Sequence, residues 1–292
     1  VNKGEKTTDV MILLYQQRLG WYYPEHEIRA IVNHLFDNLL GWSRATVHLN
    51  RGKVLDKETE TRFLTALDRL NRGEPVQYII GSTEFCGLAI QVHPGILIPR
   101  TETEELAMLI TRENQQTRGK EISILDMGTG SGCLALAMKQ AFPIAVVTGI
   151  DKYPDALDTA RKNAANNNLD VEFIAGDILD PDLFLAQGPY HIIISNPPYI
   201  PLHERSGMKH HVVNYEPGHA LFVPDDDPML FYRAIAEFSI RHLTPDGSVY
   251  AEIHENYGTQ TAGTFHRQGF RNVQVLRDFF NKNRFIRASS PA

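Results

Sequence analysis

The 292-residue chain has almost no cysteine, no long apolar run and no surplus of basic charge, and each absence removes a class of function. Its two cysteines, Cys86 and Cys133, stand far apart and form no Cys-x-x-Cys. Neither a disulfide framework nor a zinc site is therefore expected, and a reducing cytoplasm is the compartment that fits. No apolar run approaches the ~18–20 residues that cross a bilayer, so no membrane association is expected. The opening Val1-Asn2-Lys3-Gly4-Glu5-Lys6 is charged with no apolar segment behind it, so no secretory signal is expected either. Lysine and arginine total 29 against 35 acidic residues, a net charge of −6. Long nucleic-acid contact requires basic groups that neutralise phosphates, so direct nucleic-acid binding is not expected beyond a local patch.

What is present divides the chain into three parts, and the length allows two domains or one domain with an extension. Residues 1–75 read as a helical domain. From Glu25 to Leu40, Ile28, Ile31, Val32, Leu35, Phe36, Leu39 and Leu40 recur at the spacing of one buried helix face. Pro24 suits the start of that helix and Gly41 its stop. A second helix is predicted from about Lys57 to Arg72, capped by Asp56, with Phe63, Leu64, Leu67 and Leu70 inward. Residues 76–100 read as a β-hairpin connector. There Leu88, Ile90 and Val92 alternate with Ala89 and Gln91, and Gly81-Ser82 is the expected turn.

Residues 101–292 alternate strands and helices. Strands are predicted at Ile122–Met127, Ala145–Ile150, Val171–Ala175, His191–Ser195, Ser248–Ile253 and Asn272–Leu276. Helices are predicted at Gly132–Ala141, Pro154–Asn167, Asp227–His242 and Glu255–Gln268, after one opening at Thr101 with acids in its first turn. This alternation gives an α/β fold with a doubly wound, mostly parallel sheet.

Two loops carry chemistry. The first, Gly128-Thr129-Gly130-Ser131-Gly132, lies between a strand and a helix, where glycines let a cofactor approach the backbone. Asp151 ends the next strand about 20 residues on, where an acid binds a ribose hydroxyl pair; capping the helix at Pro154 is its other reading. Asp177 closes the third strand and can accept from an adenine amino group, with Ile178 as an apolar wall, or serve as a turn acid. Gly130-x-Gly132-x-x-Ala135 equally satisfies a dinucleotide fingerprint, so glycine spacing leaves a nicotinamide enzyme open.

The second loop is Asn196-Pro197-Pro198-Tyr199, placed just beyond the apolar run Ile192-Ile193-Ile194. Two prolines supply carbonyl oxygens without N–H donors, beside an Asn side chain that also accepts. That set suits a planar –NH2 group, whose two hydrogens need two acceptors, and Tyr199 adds a flat face. A turn is the plain reading of the same residues. A dehydrogenase has no use for an acceptor pair at this point, whereas an enzyme that methylates an amino or amide nitrogen does. A module that holds an adenosyl ligand without turnover is the non-enzymatic alternative.

Asp126-Met127-Gly128-Thr129-Gly130-Ser131-Gly132, Asp151 and Asn196-Pro197-Pro198-Tyr199 together resemble class I S-adenosylmethionine-dependent methyltransferases acting on planar nitrogens. Gly73-Glu74-Pro75-Val76-Gln77-Tyr78-Ile79 and Ile98-Pro99-Arg100-Thr101-Glu102-Thr103-Glu104-Glu105-Leu106 narrow the resemblance to the bacterial protein-(glutamine-N5) methyltransferases, in their release-factor branch. Tyr215-Glu216-Pro217, Asp225-Asp226-Asp227-Pro228 and Arg284-Phe285 extend it over nearly the whole chain. Thr101, where that family has proline, and His254, where it has asparagine, are departures.

The resemblance implies a helical N-terminal domain that docks substrate, a β-hairpin link and a seven-stranded methyltransferase sheet. It implies S-adenosylmethionine as donor, S-adenosylhomocysteine as product, and the glutamine of the release factors' Gly-Gly-Gln loop as acceptor. A sister branch that methylates a large-subunit ribosomal protein, and adenine amino-methylation, are the alternative substrates. Asn196, Pro197 and Tyr199 are then the catalytic candidates, with Pro198 also on the substrate. Gly128, Thr129, Gly130, Ser131, Gly132, Asp151, Asp177, Ile178 and Asn196 are the cofactor candidates. No metal is required, because the leaving group departs as a neutral thioether. A monomer is expected. Arg100, Glu102 and Glu104 read as an ion cluster at a helix start, or as the rim of the glutamine entrance. His203, His210, His211 and His219 lack metal-ligand spacing and read as surface or lid residues. Cys133 is either activated by its helix start or a small buried residue.

Overall fold

A computed structural model describes residues 6–180 and 188–291, so the charged opening before Lys6 lies outside the described residues. The chain forms two compact units, one of residues 1–81 with 210–215, the other of 82–209 with 216–292. Within the described residues no helix is long and apolar enough to cross a membrane.

The first unit holds α1 (Thr8–Leu19), α2 (Glu25–Leu40), α3 (Arg44–Leu49), α4 (Lys57–Asn71), α5 (Val76–Ile80) and a helix returning at His210–Tyr215, α9 along the chain. The apolar face predicted for α2 is buried from Ile28 to Phe36 and half-buried at Leu39 and Leu40, and Gly41 closes the helix with a left-handed φ of 65°. Asp56 caps α4 by accepting from Thr59 N at 2.8 Å. Met11, Tyr15, Leu19, Leu35, Phe36, Phe63, Leu67 and Leu70 form the core. The Tyr15 hydroxyl pays its burial cost through a 2.6 Å bond to the Phe63 carbonyl.

The predicted boundary after residue 75 moves to 81. Val76–Ile80 is a helix of the first unit, and Gly81 is its left-handed cap rather than a hairpin turn. The hairpin is β1 (Ser82–Phe85) and β2 (Leu88–Gln91), which turns at Cys86-Gly87. Both turn residues have positive φ, 51° and 78°, the requirement of a two-residue turn whose twist matches its strands.

The second unit continues with α6 (Thr101–Glu113), β3 (Ser123–Met127), α7 (Cys133–Ala141), β4 (Val146–Asp151), α8 (Pro154–Asn166), β5 (Glu172–Ala175), β6 (Tyr190–Ser195), β7 (Ile200–Pro201) and β8 (Phe222–Val223). It ends with α10 (Leu230–His242), β9 (Leu243–Glu252), α11 (Gly258–Arg267), β10 (Arg271–Arg277) and β11 (Asn283–Ser289). The seven-stranded sheet runs β10-β11-β9-β6-β3-β4-β5. Its five strands from β9 to β5 pair in parallel, and β11 is antiparallel to both β9 and β10. The residue pattern did not disclose β11, whose Arg284 and Arg287 interrupt its apolar positions. Ile124, Leu125, Ile192, Ile193, Ile194 and Val249 are buried at the centre, as β-branched central strands must be.

Strand order reverses between β3 and β6, and Met127 pairs with Ser195 at their last rung. The Ser195 hydroxyl donates to the Met127 carbonyl at 2.7 Å, tying the two ends together. The glycine loop and Asn196-Pro197-Pro198-Tyr199 therefore leave the sheet side by side, at the switch point where α/β sheets bind ligands.

Candidate active site

At that switch point lies a cavity of about 490 Å³. Gly128, Gly130, Asp151, Asp177 and Ile178 line it, together with Asn196, Pro197 and Pro198. The two loops singled out in the sequence thus share one cavity, within the size range of small-molecule sites. A larger groove of about 720 Å³ beside α6 and α7 contains neither loop.

The glycine loop is built for close approach. Gly128 has φ of 77°, and a Cβ there would come within 3.3 Å of Ile178. Gly132 serves packing: at φ of 82° its Cα faces α8 so closely that a Cβ would stand 3.0 Å from Ala160 Cβ. Thr129, Ser131 and Gly132, expected to touch cofactor, do not line the cavity. Thr129 donates its hydroxyl to Asp126 at 2.7 Å, and the Ser131 carbonyl accepts from Asn163 at 2.9 Å.

Asp151 accepts from Gly130 N at 2.9 Å on one oxygen and from Tyr153 N at 3.0 Å on the other. It lines the cavity and also closes the turn that leads into α8. Burial raises its pKa, against those two hydrogen bonds. Asp177 accepts from Leu179 N at 2.9 Å and from the Lys152 ammonium at 3.3 Å, which makes it a turn acid that also faces the cavity. Asp126 is fully buried behind the loop, its Oδ1 has no hydrogen-bond partner, and burial pushes its pKa up to about 7.

On the other side, Asn196 donates Nδ2 to Thr103 Oγ1 at 3.0 Å, and Thr103 donates to Glu252 Oε2 at 2.8 Å. Tyr199 donates its hydroxyl to Glu252 Oε1 at 2.8 Å. Its ring does not line the large cavity but a pocket of about 30 Å³ beside it, shared with Arg100, Asn196, Pro197 and Glu252. Arg100 pairs with the buried Glu216 at 2.6 Å, and Glu104 accepts from Cys86 N at 2.5 Å. Glu104 thus ties down the hairpin turn, and Arg100 borders the small pocket that Asn196 also lines.

The sequence did not single out Gly95, Ile96 and Leu97, which line the cavity from the segment after the hairpin, nor Tyr153 and Phe231. Glu252 had a legible signal. A carboxylate closing the apolar strand Val249-Tyr250-Ala251 must find donors, because burying an unpaired charge is costly. His219 lines the cavity against the Tyr153 ring, while His203 pairs with Asp225 and His211 stacks on Tyr23. No group of three or more metal-ligating side chains occurs among the described residues. Cys133 is the buried residue rather than the activated one, since burial pushes its thiol up to about 12.

Comparison with known proteins decides the family. A release factor glutamine methyltransferase of Bacteroides thetaiotaomicron is 38% identical over 274 residues, covering 94% of this chain and 97% of that one. One of Flavobacterium psychrophilum is 36% identical over 276 residues, covering 94% and 96%. The chain belongs to the release factor glutamine methyltransferase family. Within it, the methyltransferase small domain matches residues 104–215 and the PrmC N-terminal domain residues 18–81, ending where the first structural unit pauses. Among solved structures, a methyltransferase from Pyrococcus furiosus shares the fold at 18% identity and a TM-score of 0.51, covering 81% of this chain and 100% of that chain. The sheet, the cavity and the family together make this chain a methyltransferase with S-adenosylmethionine as methyl donor.

Proposed function

We propose that the chain transfers a methyl group from S-adenosylmethionine to the side-chain amide nitrogen of the glutamine in the Gly-Gly-Gln loop of peptide chain release factors. The observation that carries this is the shared cavity: the donor-free Asn-Pro-Pro corner opens onto the space bordered by Gly128, Gly130 and Asp151. The residues suit an adenosyl donor, with backbone glycines for close approach, a carboxylate for ribose hydroxyls and Ile178 as an apolar wall. That donor supplies an activated methyl on a sulfonium, which leaves behind a neutral thioether.

An amide nitrogen is a poor nucleophile because its lone pair is delocalised into the carbonyl. Asn196 Oδ1 and the Pro197 carbonyl accept its two hydrogens and hold the group in one orientation, converting an encounter into an oriented reaction. Both acceptors strengthen as positive charge develops on nitrogen, so they favour the transition state over the bound ground state, and the N–H acidified by methylation then loses its proton to water. Pro198, which lines the cavity, flanks the amide plane, and Tyr199 supports the loop from the smaller pocket behind it. The first unit docks the release factor, a monomer working in the cytoplasm suffices, and a net charge of −6 disfavours nucleic acid as the substrate.

Mass spectrometry of a release-factor digest after reaction with labelled S-adenosylmethionine tests the proposal, with a large-subunit ribosomal protein and duplex DNA as parallel acceptors. One methyl on the Gly-Gly-Gln peptide is the expected result. Label on the ribosomal protein or on DNA alone would assign a different substrate.

A further inference from the structure

We propose that Thr103 and Glu252 are positioning residues that fix which arm of the Asn196 amide meets the substrate, and thereby select a carboxamide over a carboxylate. The inference rests on the proposed role of Asn196 and deepens it.

An asparagine presents two arms of nearly equal shape, one accepting and one donating, so its orientation is decided by its partners. Here the deciding partner sits two bonds away. Glu252 closes β9 and is 1% exposed. As a carboxylate it only accepts, and it takes the Tyr199 hydroxyl on one oxygen and the Thr103 hydroxyl on the other. Burial raises its pKa, and the hydrogen bonds from Tyr199 and Thr103, then the nearby Arg284 charge, oppose that rise. Thr103 has one hydrogen, and Glu252 has taken it. What Thr103 offers Asn196 is a lone pair, so the arm that faces Thr103 must be the Nδ2 donor. At 2% exposure Thr103 has no bulk water to substitute for either partner.

The other arm of the planar amide, Oδ1, is left for the cavity that Asn196 lines. With the Pro197 carbonyl it makes a pair of acceptors. Glutamine brings two hydrogens to such a pair, whereas a glutamate carboxylate brings only lone pairs and is repelled. A site built around hydrogen bonds rejects a group that cannot make them far more strongly than a shape filter does. Reversing the relay would turn Nδ2 toward the substrate and remove that rejection.

The test compares Thr103→Val, Thr103→Ala, Thr103→Ser, Glu252→Gln and Asn196→Ala. For each, kcat and KM are measured on a release factor, with S-adenosylhomocysteine affinity by calorimetry and folding by thermal melting. A release factor whose Gly-Gly-Gln glutamine is replaced by glutamate serves as the competing ligand. Losing the relay should lower kcat roughly 10²-fold, as losing one aligned hydrogen-bonding group does. Thr103→Val, Thr103→Ala and Glu252→Gln should show this loss, keep S-adenosylhomocysteine affinity, and bind the glutamate form nearly as well as the glutamine form. Thr103→Ser should recover most of the rate and the preference. A lower rate with the glutamine preference intact would mean a merely structural role and would overturn the proposal. Wild-type kinetics in the Thr103 and Glu252 variants beside an inactive Asn196→Ala would remove the relay while leaving Asn196 in place. Wild-type turnover by Asn196→Ala would remove the reading of the site itself.

Discussion

At the scale of single residues the site is a division of labour between groups that point into the cavity and groups that hold them. In the proposed reading Asn196 and Pro197 contribute their oxygens, while Thr103 bonds Asn196, Glu252 bonds Thr103, and Ser195 ties the strand end to Met127. Deleting the Asn196 acceptor should lower kcat by about 10²–10³, the range seen when one aligned hydrogen-bonding group is removed. Cofactor affinity should stay near wild type, since Asp151 and the glycine loop are untouched. Single-turnover methylation together with calorimetric cofactor binding by Asn196→Ala measures both, and an equal loss in each would place Asn196 on the cofactor instead. That the Asn-Pro-Pro loop would border the cavity was legible in the sequence, because an apolar strand ended by two prolines places it at the carboxyl end of the sheet. Glu252 carried a signal as a carboxylate closing an apolar strand, but its pairing with Thr103 did not, because the two lie 149 positions apart and meet only through the fold.

At the scale of elements, the sequence disclosed those whose stabilising pattern is local. The helix at Glu25–Leu40 and the strands β3, β4 and β6 emerged within a residue or two of their observed ends, because helix periodicity and β-branched runs are written within each segment. Of the hairpin, the alternating strand at Leu88–Gln91 was foreseen, but its partner strand and its turn were not. Gly81 signals a stop as readily as a turn, and Cys86 is an unusual residue to hold a positive φ. How β2 docks was invisible. Its edge is covered by two asparagines of the α8 region: Asn163 accepts from Gln91 N at 2.7 Å and donates to Gln91 O at 3.2 Å, while Asn167 bonds both backbone groups of Ala89. These side chains act as a substitute strand for an otherwise unpaired edge. Asn163 also donates to the Ser131 carbonyl, so the hairpin and the glycine loop hang on one fully buried amide. Asn163→Ala would leave the buried Ser131 carbonyl unpaired, at roughly 1–3 kcal/mol, and release the part-buried backbone of Gln91. The expected outcome is a lower urea midpoint, together with faster amide exchange at Gln91. A variant with unchanged midpoint and exchange would show that the amide is dispensable.

At the scale of the whole molecule, the sheet concentrates carboxylates in the interior just where its strands end. Asp126, Asp151 and Glu252 all lie at or beside the carboxyl ends of β3, β4 and β9, and burial raises the pKa of each. Asp126 shows the consequence most plainly. Its pKa rises from 3.8 to about 7, because its desolvation outweighs the hydrogen bonds from Thr129 and Ala135, and the Asp151 charge adds to the rise. Its Oδ1 has no partner to offset ionisation. Between those two values the folded protein binds a proton that the unfolded chain has released. Stability contributed by this group is therefore full below about pH 4 and is lost as pH rises through about 7. One proton sets a slope of at most about 1.4 kcal/mol per pH unit over that window. Carboxylates whose pKa is lowered, such as Asp278 beside Arg284 and Asp227 beside Arg233, act in the opposite sense and lose their contribution only on acidification. Cofactor-free protein should consequently melt at a higher temperature near pH 5.5 than near pH 8. Asp126→Asn, which keeps an acceptor for Thr129 and Ala135 but cannot ionise, should flatten that difference. Thermal melting of both proteins across pH 5 to 8 measures it, and parallel curves would mean that Asp126 is already ionised in the folded chain.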